Sequence, residues 1–154
     1  MHRELELDAD ACGVVEAPEA QAEMRAWASG AKGIHAVALD EALRLYREKC
    51  GPGAGGEGDE VVWMDVVNPG EQEAVFLRDT LRFHPLAVED CIRGRQRPKV
   101  DRYPGYFFMV LYAARIAPDR GGMALNEVHV FLGERFVVTV HDRKVQEVGE
   151  VVAR

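Results

Sequence analysis

The hairpin near the C-terminal end of the sequence constrains the fold more than any other feature. Residues 126–132 and 135–141 alternate as two antiparallel strands joined at Gly133-Glu134, where glycine suits a tight turn. If Leu132 pairs with Arg135, the alternation assigns each side chain to a face. One face carries His129, Phe131, Phe136, Val138 and Val140, and the other carries Val128, Val130, Leu132, Val137 and Thr139. Because both faces are largely apolar, helices are needed over both. The prediction is an α/β fold, a three-layer α/β/α sandwich with a central mixed sheet that includes this hairpin.

The remaining patterns supply the other elements. Further strands are predicted at residues 24–28, 61–67 and 106–116, and residues 34–38 are read as either a strand or the approach to a helix. Helices are predicted at 40–49, at 71–82, and from His84-Pro85 to Gly94, with proline at a favoured early position. Residues 95–103 are interpreted as a basic connector and residues 118–122 as a turn.

Composition excludes several classes of function. The net charge of −7 disfavours nucleic-acid binding, which requires a basic surface. The longest apolar run, residues 106–114, is less than half of the roughly 20 residues that a membrane-spanning helix needs. The chain as given is therefore expected to be soluble. The three cysteines (Cys12, Cys50 and Cys91) form no Cys-x-x-Cys pair, so a reducing compartment such as the cytoplasm is expected.

A series of motifs between Trp63 and His141 resembles the CorA-type magnesium and cobalt transporters and their zinc-transporting ZntB-like relatives. In chain order the motifs are Trp63-Met64-Asp65-Val66, Asn68-Pro69, Phe83-His84-Pro85-Leu86-Ala87-Val88-Glu89-Asp90-Cys91, Gln96-Arg97-Pro98-Lys99-Val100-Asp101, Tyr103, Gly105-Tyr106-Phe107-Phe108-Met109-Val110-Leu111, Phe131-Leu132 and Val138-Thr139-Val140-His141. Each motif is short, and their order and spacing over about half of the chain make the resemblance specific.

The resemblance implies a domain organisation. Residues 23–144 would form the cytoplasmic domain, one wall of a funnel, after a loosely specified extension at residues 1–22. Residues 145–154 would begin a truncated stalk helix. In the family, two membrane helices and a Gly-Met-Asn pore motif follow, and the protein is a homopentamer of the cell (inner) membrane. Neither the membrane helices nor that motif occurs in these 154 residues, so the fragment is expected not to transport by itself. Any contact with the membrane would come only through the missing C-terminal helices.

The resemblance also points to Asp90, supported by Glu89, as a ligand for a regulatory cation. The matching aspartate in the family binds the cation together with an acid from the stalk of the neighbouring subunit, which here would lie beyond residue 154. Mg²⁺ prefers oxygen ligands and often uses only one or two carboxylates, and Co²⁺ or Zn²⁺ are alternatives. The simpler interpretation is a solvated helix face on which Glu89 pairs with Arg93 at i, i+4.

Other reactive residues favour structural roles. The basic cluster of Arg93, Arg95, Arg97, Lys99 and Arg102 is interpreted as a solvated connector, some of whose members pair with acids, rather than as a phosphate or nucleic-acid contact. The five histidines show no metal-ligand spacing: His129 and His141 fall on opposite hairpin faces, and His84 is expected to help start its helix. Cys91 is predicted to be a buried, inert thiol, and Trp63, Phe107 and Phe108 are predicted to be core residues.

The function predicted from the sequence is a regulatory, cation-sensing domain of a CorA-like magnesium and cobalt transporter, with divalent cations as ligands and no enzymatic activity. Two alternatives remain open at this stage: the cytoplasmic domain of a ZntB-like zinc transporter, and a free-standing soluble α/β module that binds a partner or a small ligand.

Overall fold

The computed structural model describes residues 21–31, 33–117, 122–142, 145, 148, 150 and 151. Within them, seven strands form one sheet: β1 (Glu23–Gly30), β2 (Gly33–Val37), β3 (Val62–Val67), β4 (Lys99–Tyr103), β5 (Tyr106–Ala117), β6 (Gly122–Gly133) and β7 (Phe136–His141). The helices are α1 (Leu39–Leu45), α2 (Glu71–Val75) and α3 (Pro85–Arg93). Wider π-helical turns continue α1 through Tyr46–Cys50 and α2 through Phe76–Thr80.

The sheet is mixed, with the strand order β2-β1-β3-β7-β6-β5-β4. Strands β3 and β7 pair in parallel, and the other neighbouring strands pair antiparallel. This arrangement confirms the predicted α/β fold with a central mixed sheet and a C-terminal antiparallel hairpin. None of the helices among the described residues is long and apolar enough to cross a membrane.

Helices α1, α2 and α3 share one apolar core with the first face of the sheet. Phe83, which follows α2, stacks on Phe131 of β6 with ring centroids 4.0 Å apart. Leu77 and Ala87 are fully buried in the same core as Phe108 of β5. The hairpin face that carries Phe131 is therefore the face that these helices cover, and burial of its aromatic side chains stabilises the layer packing.

The opposite face of the sheet is also apolar, as the alternation of the hairpin predicts. Val145, after β7, is buried. It lines a groove together with Val148 and Val151 over Trp63, Val128 and Val137. Val148 and Val151 are helical, and most of the other residues of the predicted stalk helix lie outside the described residues.

The predicted turn of the hairpin is wrong: the turn lies one residue further along the chain than the sequence indicates. Phe131 pairs with Val138 and Leu132 with Val137, so the turn is Glu134-Arg135 rather than Gly133-Glu134. Arg135 explains the difference, because its guanidinium donates hydrogen bonds to the carbonyl oxygens of Gly56 and Gly58, each at 2.6 Å. Each residue therefore pairs two positions further along the opposite strand, which leaves every side chain on its predicted face.

The segment predicted as a basic connector contains an edge strand. Strand β4 pairs with β5, with Lys99 opposite Val110 and Asp101 opposite Phe108. The segment lacks the apolar signal of a strand because its alternate residues are charged or exposed, which is usual at a sheet edge. The earlier elements agree more closely: residues 34–37 of the ambiguous segment belong to the strand β2, and the predicted helices match α1, α2 and α3 with their π-helical continuations. Residues 1–20 of the predicted extension and residues 118–121 of the predicted turn lie outside the described residues.

A buried aspartate joins the strands at the centre of the sheet. Asp65 of β3 is fully buried, and it accepts hydrogen bonds from Thr139 Oγ1 at 2.6 Å and from the Arg25 guanidinium of β1. His141 Nε2 lies 3.1 Å from the same carboxylate. Burial alone raises the pKa of Asp65, but the hydrogen bonds from His141, Thr139 and Arg25 outweigh it, so the pKa lies below its ordinary value.

The first prediction concerns the contribution of this carboxylate to stability. We expect Asp65→Asn to lower the free energy of unfolding by about 2–4 kcal/mol, because it leaves buried donors without a charged acceptor. Urea unfolding followed by circular dichroism measures the change. The matched control is Asp59→Asn, at an exposed position, with an expected effect within about 0.5 kcal/mol. Equal effects of the two substitutions would contradict the prediction.

The second prediction concerns pH. Because the pKa of Asp65 is lower in the folded chain, the unfolded chain takes up a proton first as the pH falls. The stabilisation from Asp65 is therefore present above about pH 5 and is lost as the pH falls towards about 2. The difference in unfolding free energy between wild type and Asp65→Asn should shrink across this range, and a difference that stays constant would show that Asp65 does not titrate in this way.

Candidate metal centre

Helix α3 carries the two acidic residues singled out in the sequence, and its ends are well defined. His84 precedes it, and the ring Nδ1 accepts a hydrogen bond from the backbone N–H of Leu86 at 3.2 Å, followed by Pro85 in the first turn. Gly94 ends it with φ 60° while its N–H donates to the Asp90 carbonyl oxygen at 3.0 Å. The predicted role of His84 in starting the helix is confirmed.

The inner side of α3 fixes which side chains face outward. Ala87, Val88 and Cys91 are buried against the sheet. Ile92, four residues after Val88 on the same helix, is 41% exposed. The buried residues leave the Glu89 side chain 42% exposed and the Asp90 side chain 24% exposed at the helix surface.

The two acids have different partners. Glu89 Oε1 lies 2.6 Å from Arg93 Nη2, which is the i, i+4 ion pair that the sequence predicts. Asp90 Oδ2 instead accepts a hydrogen bond at 2.7 Å from Lys99 Nζ of the edge strand β4. The helix is thus tied along its own surface by Glu89 and to the sheet by Asp90.

A second carboxylate shares the lysine. Asp101 Oδ2 lies 2.8 Å from Lys99 Nζ, so side chains from α3 and β4 converge on one ammonium group. The Lys99 ammonium also lies 5.5 Å from the centre of the Phe108 ring. The hydrogen bonds to Asp101 and to Asp90 raise the pKa of Lys99 well above its ordinary value, so this group is charged at any physiological pH.

Sequence reasoning missed Asp101 because it treated residues 95–103 as a connector. In a strand, Lys99 and Asp101 lie two residues apart on the same face. Both therefore point towards the helix layer and towards Asp90. The signal was the Lys-Val-Asp-Arg-Tyr alternation at residues 99–103, which reads as a strand only once its pairing with β5 is known.

The donor set suits a hard cation. Two carboxylates from different elements converge on one positive charge, the Lys99 ammonium. Mg²⁺ is commonly held by one or two carboxylates and retained waters. Among the residues that the structure describes, no three side chains of His, Cys, Asp or Glu cluster closely enough to hold a metal by themselves. A complete ligand shell would need water or an acid from elsewhere.

The other candidates occupy structural positions. His129 and His141 lie on opposite faces as predicted, His129 beside Glu127 and His141 beside Asp65. Burial, followed by the nearby Asp90, raises the pKa of the Cys91 thiol well above its ordinary value, which agrees with an inert thiol.

The basic and aromatic groups divide between roles. In the basic cluster, Arg93 and Lys99 pair with acids, whereas Arg95, Arg97 and Arg102 are exposed. Phe108 is a core residue and Trp63 packs on Trp27 at 4.9 Å. Phe107 was predicted to be buried, but it is 45% exposed because it points to the opposite face of the sheet, near the edge strand.

Comparisons with known proteins agree with this fold. The family model described as CorA-like Mg2+ transporter protein matches residues 58–154. YfjQ of Bacillus subtilis (strain 168), whose name assigns it provisionally to metal ion transport, is 41% identical over 92 residues. That match covers 60% of this chain and 28% of YfjQ, so the chain spans little more than a quarter of that relative.

Solved structures share the architecture. Full-length CmaX superposes with a TM-score of 0.65 at 14% identity, covering 84% of this chain and 37% of CmaX. The CorA magnesium transporter from Methanocaldococcus jannaschii gives a TM-score of 0.56 at 12% identity, covering 83% of this chain and 35% of that protein. The fold of these structures and the match of the family model over more than half of the sequence lead to one conclusion: the chain belongs to the CorA-like Mg2+ transporter family.

Proposed function

We propose that this chain is the cytoplasmic, cation-sensing domain of a CorA-like divalent-cation transporter, and that Mg²⁺ is its principal regulatory ligand. The observation that carries the proposal is the convergence of Asp90 and Asp101 on one positive charge between α3 and the edge strand β4. Conduction would belong to membrane segments elsewhere in the full-length protein.

The chemistry of the site supports Mg²⁺, with Co²⁺ as a second ligand. The available donors are carboxylate oxygens, which hard cations prefer. Asp90 would be the primary ligand, with Asp101 beside it, and Glu89 would contribute negative charge from the same helix surface. Water molecules would complete an octahedral shell around a small ion such as Mg²⁺.

Regulation would depend on a neighbouring subunit. The described residues supply two carboxylates at this position, so an acid from an adjacent copy in a homopentamer would add a third and place the ion at a subunit boundary. A bound cation would screen the repulsion between acidic surfaces and hold the subunits together. Loss of the ion would loosen the ring, which couples cation concentration to the state of the pore.

A ZntB-like zinc transporter domain is the second candidate, and the geometry favours it less. Zinc sites in proteins usually use cysteine thiolates and histidine nitrogens. In the described part of the chain, His129 and His141 lie on opposite faces of the sheet, and the buried Cys50 and Cys91 belong to different elements. The oxygen-rich position at Asp90 therefore supports Mg²⁺ over Zn²⁺.

The third prediction tests the site. Isothermal titration calorimetry should detect Mg²⁺ binding to the 154-residue chain, and Mg²⁺ should raise its melting temperature, because a ligand that binds only the folded state stabilises it. Asp90→Asn should weaken the affinity by on the order of tenfold or more, since it removes a charged ligand. Co²⁺ should compete for the same site.

The matched control is Glu48→Gln, which neutralises an acid in the π-helical continuation of α1 that forms a surface ion pair with Arg44 at 3.4 Å. It should leave the Mg²⁺ affinity unchanged. If Asp90→Asn and Glu48→Gln bind Mg²⁺ equally well, Asp90 is not a ligand. A chain whose melting temperature is insensitive to Mg²⁺, Co²⁺ and Zn²⁺ alike would favour the free-standing binding module.

A further inference from the structure

Lys99 lies where a cation would bind. Its ammonium nitrogen is 2.7 Å from Asp90 Oδ2 and 2.8 Å from Asp101 Oδ2, both within the range of charge-assisted hydrogen bonds. Two of its three N–H groups are thus committed to carboxylates from α3 and β4. The lysine neutralises the same oxygens that a divalent cation would need.

We propose that Lys99 is a tethered competitor for the divalent cation: its ammonium holds Asp90 and Asp101 when the ion is scarce and withdraws when the ion binds. The inference rests on the proposed cation site and adds a residue that sets its affinity. Lys99 acts as a positioning residue, since it does not itself contact the bound ion.

The geometry allows the lysine to leave. Its side chain is 34% exposed and projects from an edge strand, so the ammonium can move into solvent on a flexible four-carbon stem. Its departure requires only rotation of side-chain bonds. The contact with the Phe108 ring, 5.5 Å from the ammonium, is also given up in the process.

Displacement, rather than loss of a proton, must free the carboxylates. Both acids favour the charged form of the lysine, so the ammonium remains a competitor across the physiological pH range. The apparent dissociation constant of the cation is then the intrinsic constant divided by the fraction of molecules in which Lys99 has left the two carboxylates. Such competition tunes the site towards higher concentrations of free ion.

The competition also has a structural consequence. Without the ion, Lys99 links α3 to the sheet edge through a single ammonium that carries one positive charge. With the ion, the two carboxylates would be bridged by a doubly charged centre that retains open coordination positions for further acids. Replacing the Lys99 ammonium with the ion would therefore turn a contact made entirely within the chain into one that a carboxylate of a neighbouring subunit can join.

The fourth prediction compares Lys99→Met with Lys99→Arg in the 154-residue chain by calorimetric titration with Mg²⁺ at constant ionic strength. Methionine has a similar length without the charge, so Lys99→Met should lower the dissociation constant for Mg²⁺ by on the order of tenfold. Arginine keeps a competing positive charge, so the Mg²⁺ affinity of Lys99→Arg should stay close to that of the wild type. The control Arg44→Met removes one positive charge from the exposed pair with Glu48 and should not tighten binding.

The outcomes separate this inference from the proposed function. If Asp90→Asn weakens Mg²⁺ binding but Lys99→Met does not strengthen it, the site stands and the competitor role is overturned. If Asp90→Asn has no effect on Mg²⁺ binding in either background, both ideas fail. Adding Asp101→Asn to Lys99→Met should reverse the gain, whereas adding Glu48→Gln, which restores the net charge equally at a surface ion pair, should not.

Amine labelling of the unaltered chain gives a second measurement, which does not depend on the folding of a variant. Lys99 and Lys49 are matched: Lys49 Nζ lies 2.6 Å from Glu60 Oε1, and the two lysine side chains are 34% and 33% exposed. Reductive methylation read by mass spectrometry should accelerate at Lys99, but not at Lys49, when Mg²⁺ is added. Equal labelling of Lys99 with and without saturating Mg²⁺ would overturn the proposal.

Discussion

The parallel pairing of β3 with β7 is the interaction on which the rest of the structure depends. It joins the antiparallel group β2-β1-β3 to the antiparallel group β7-β6-β5-β4, so the seven strands become one sheet only through it. Asp65 reinforces the joint with hydrogen bonds to Thr139 and Arg25, which lie on the strands to either side of β3. A buried carboxylate is costly unless it is fully bonded, and here those bonds also specify which strands are neighbours.

The candidate metal centre lies at the β4 edge of the sheet, away from the β3–β7 pairing. Its polar groups are arranged differently from those around Asp65. There, α3 is held by buried Ala87 and Cys91, while Asp90 of the helix meets Lys99 and Asp101 of the edge strand β4 at the surface. Ion pairs at a surface contribute little to stability and can exchange partners at small cost. The buried polar network around Asp65 is thus separate from the accessible ion pairs around Lys99. A site that responds to ion concentration is expected among the accessible pairs, because they can exchange partners.

Sequence reasoning succeeded where periodicity and chemistry were both strong. The alternation of Phe131 and Val138 identified the two apolar faces, and the His84-Pro85 pair located the start of α3. It failed where tertiary contacts decide the outcome: Arg135 sets the turn through carbonyl oxygens of a distant glycine-rich loop, which no local pattern reveals. Asp101 was missed for the same reason, because a polar edge strand is recognisable only from its partner β5. Asp90 was found through resemblance to a family, and its convergence with Asp101 needed the structure.

The β3–β7 joint also sets the order in which the chain can fold. Asp65 and Thr139 are 74 residues apart in sequence, so the contact closes a long loop at an entropic cost that local helices and hairpins do not bear. During synthesis, β3 is complete long before β7 leaves the ribosome, and until then it presents an unpaired edge of mostly apolar residues. Strand β7 is therefore the one that covers the edge of β3. A chain interrupted before Phe136 would leave that edge of β3 unpaired and prone to aggregation, although in the native protein it lies at the centre of the sheet.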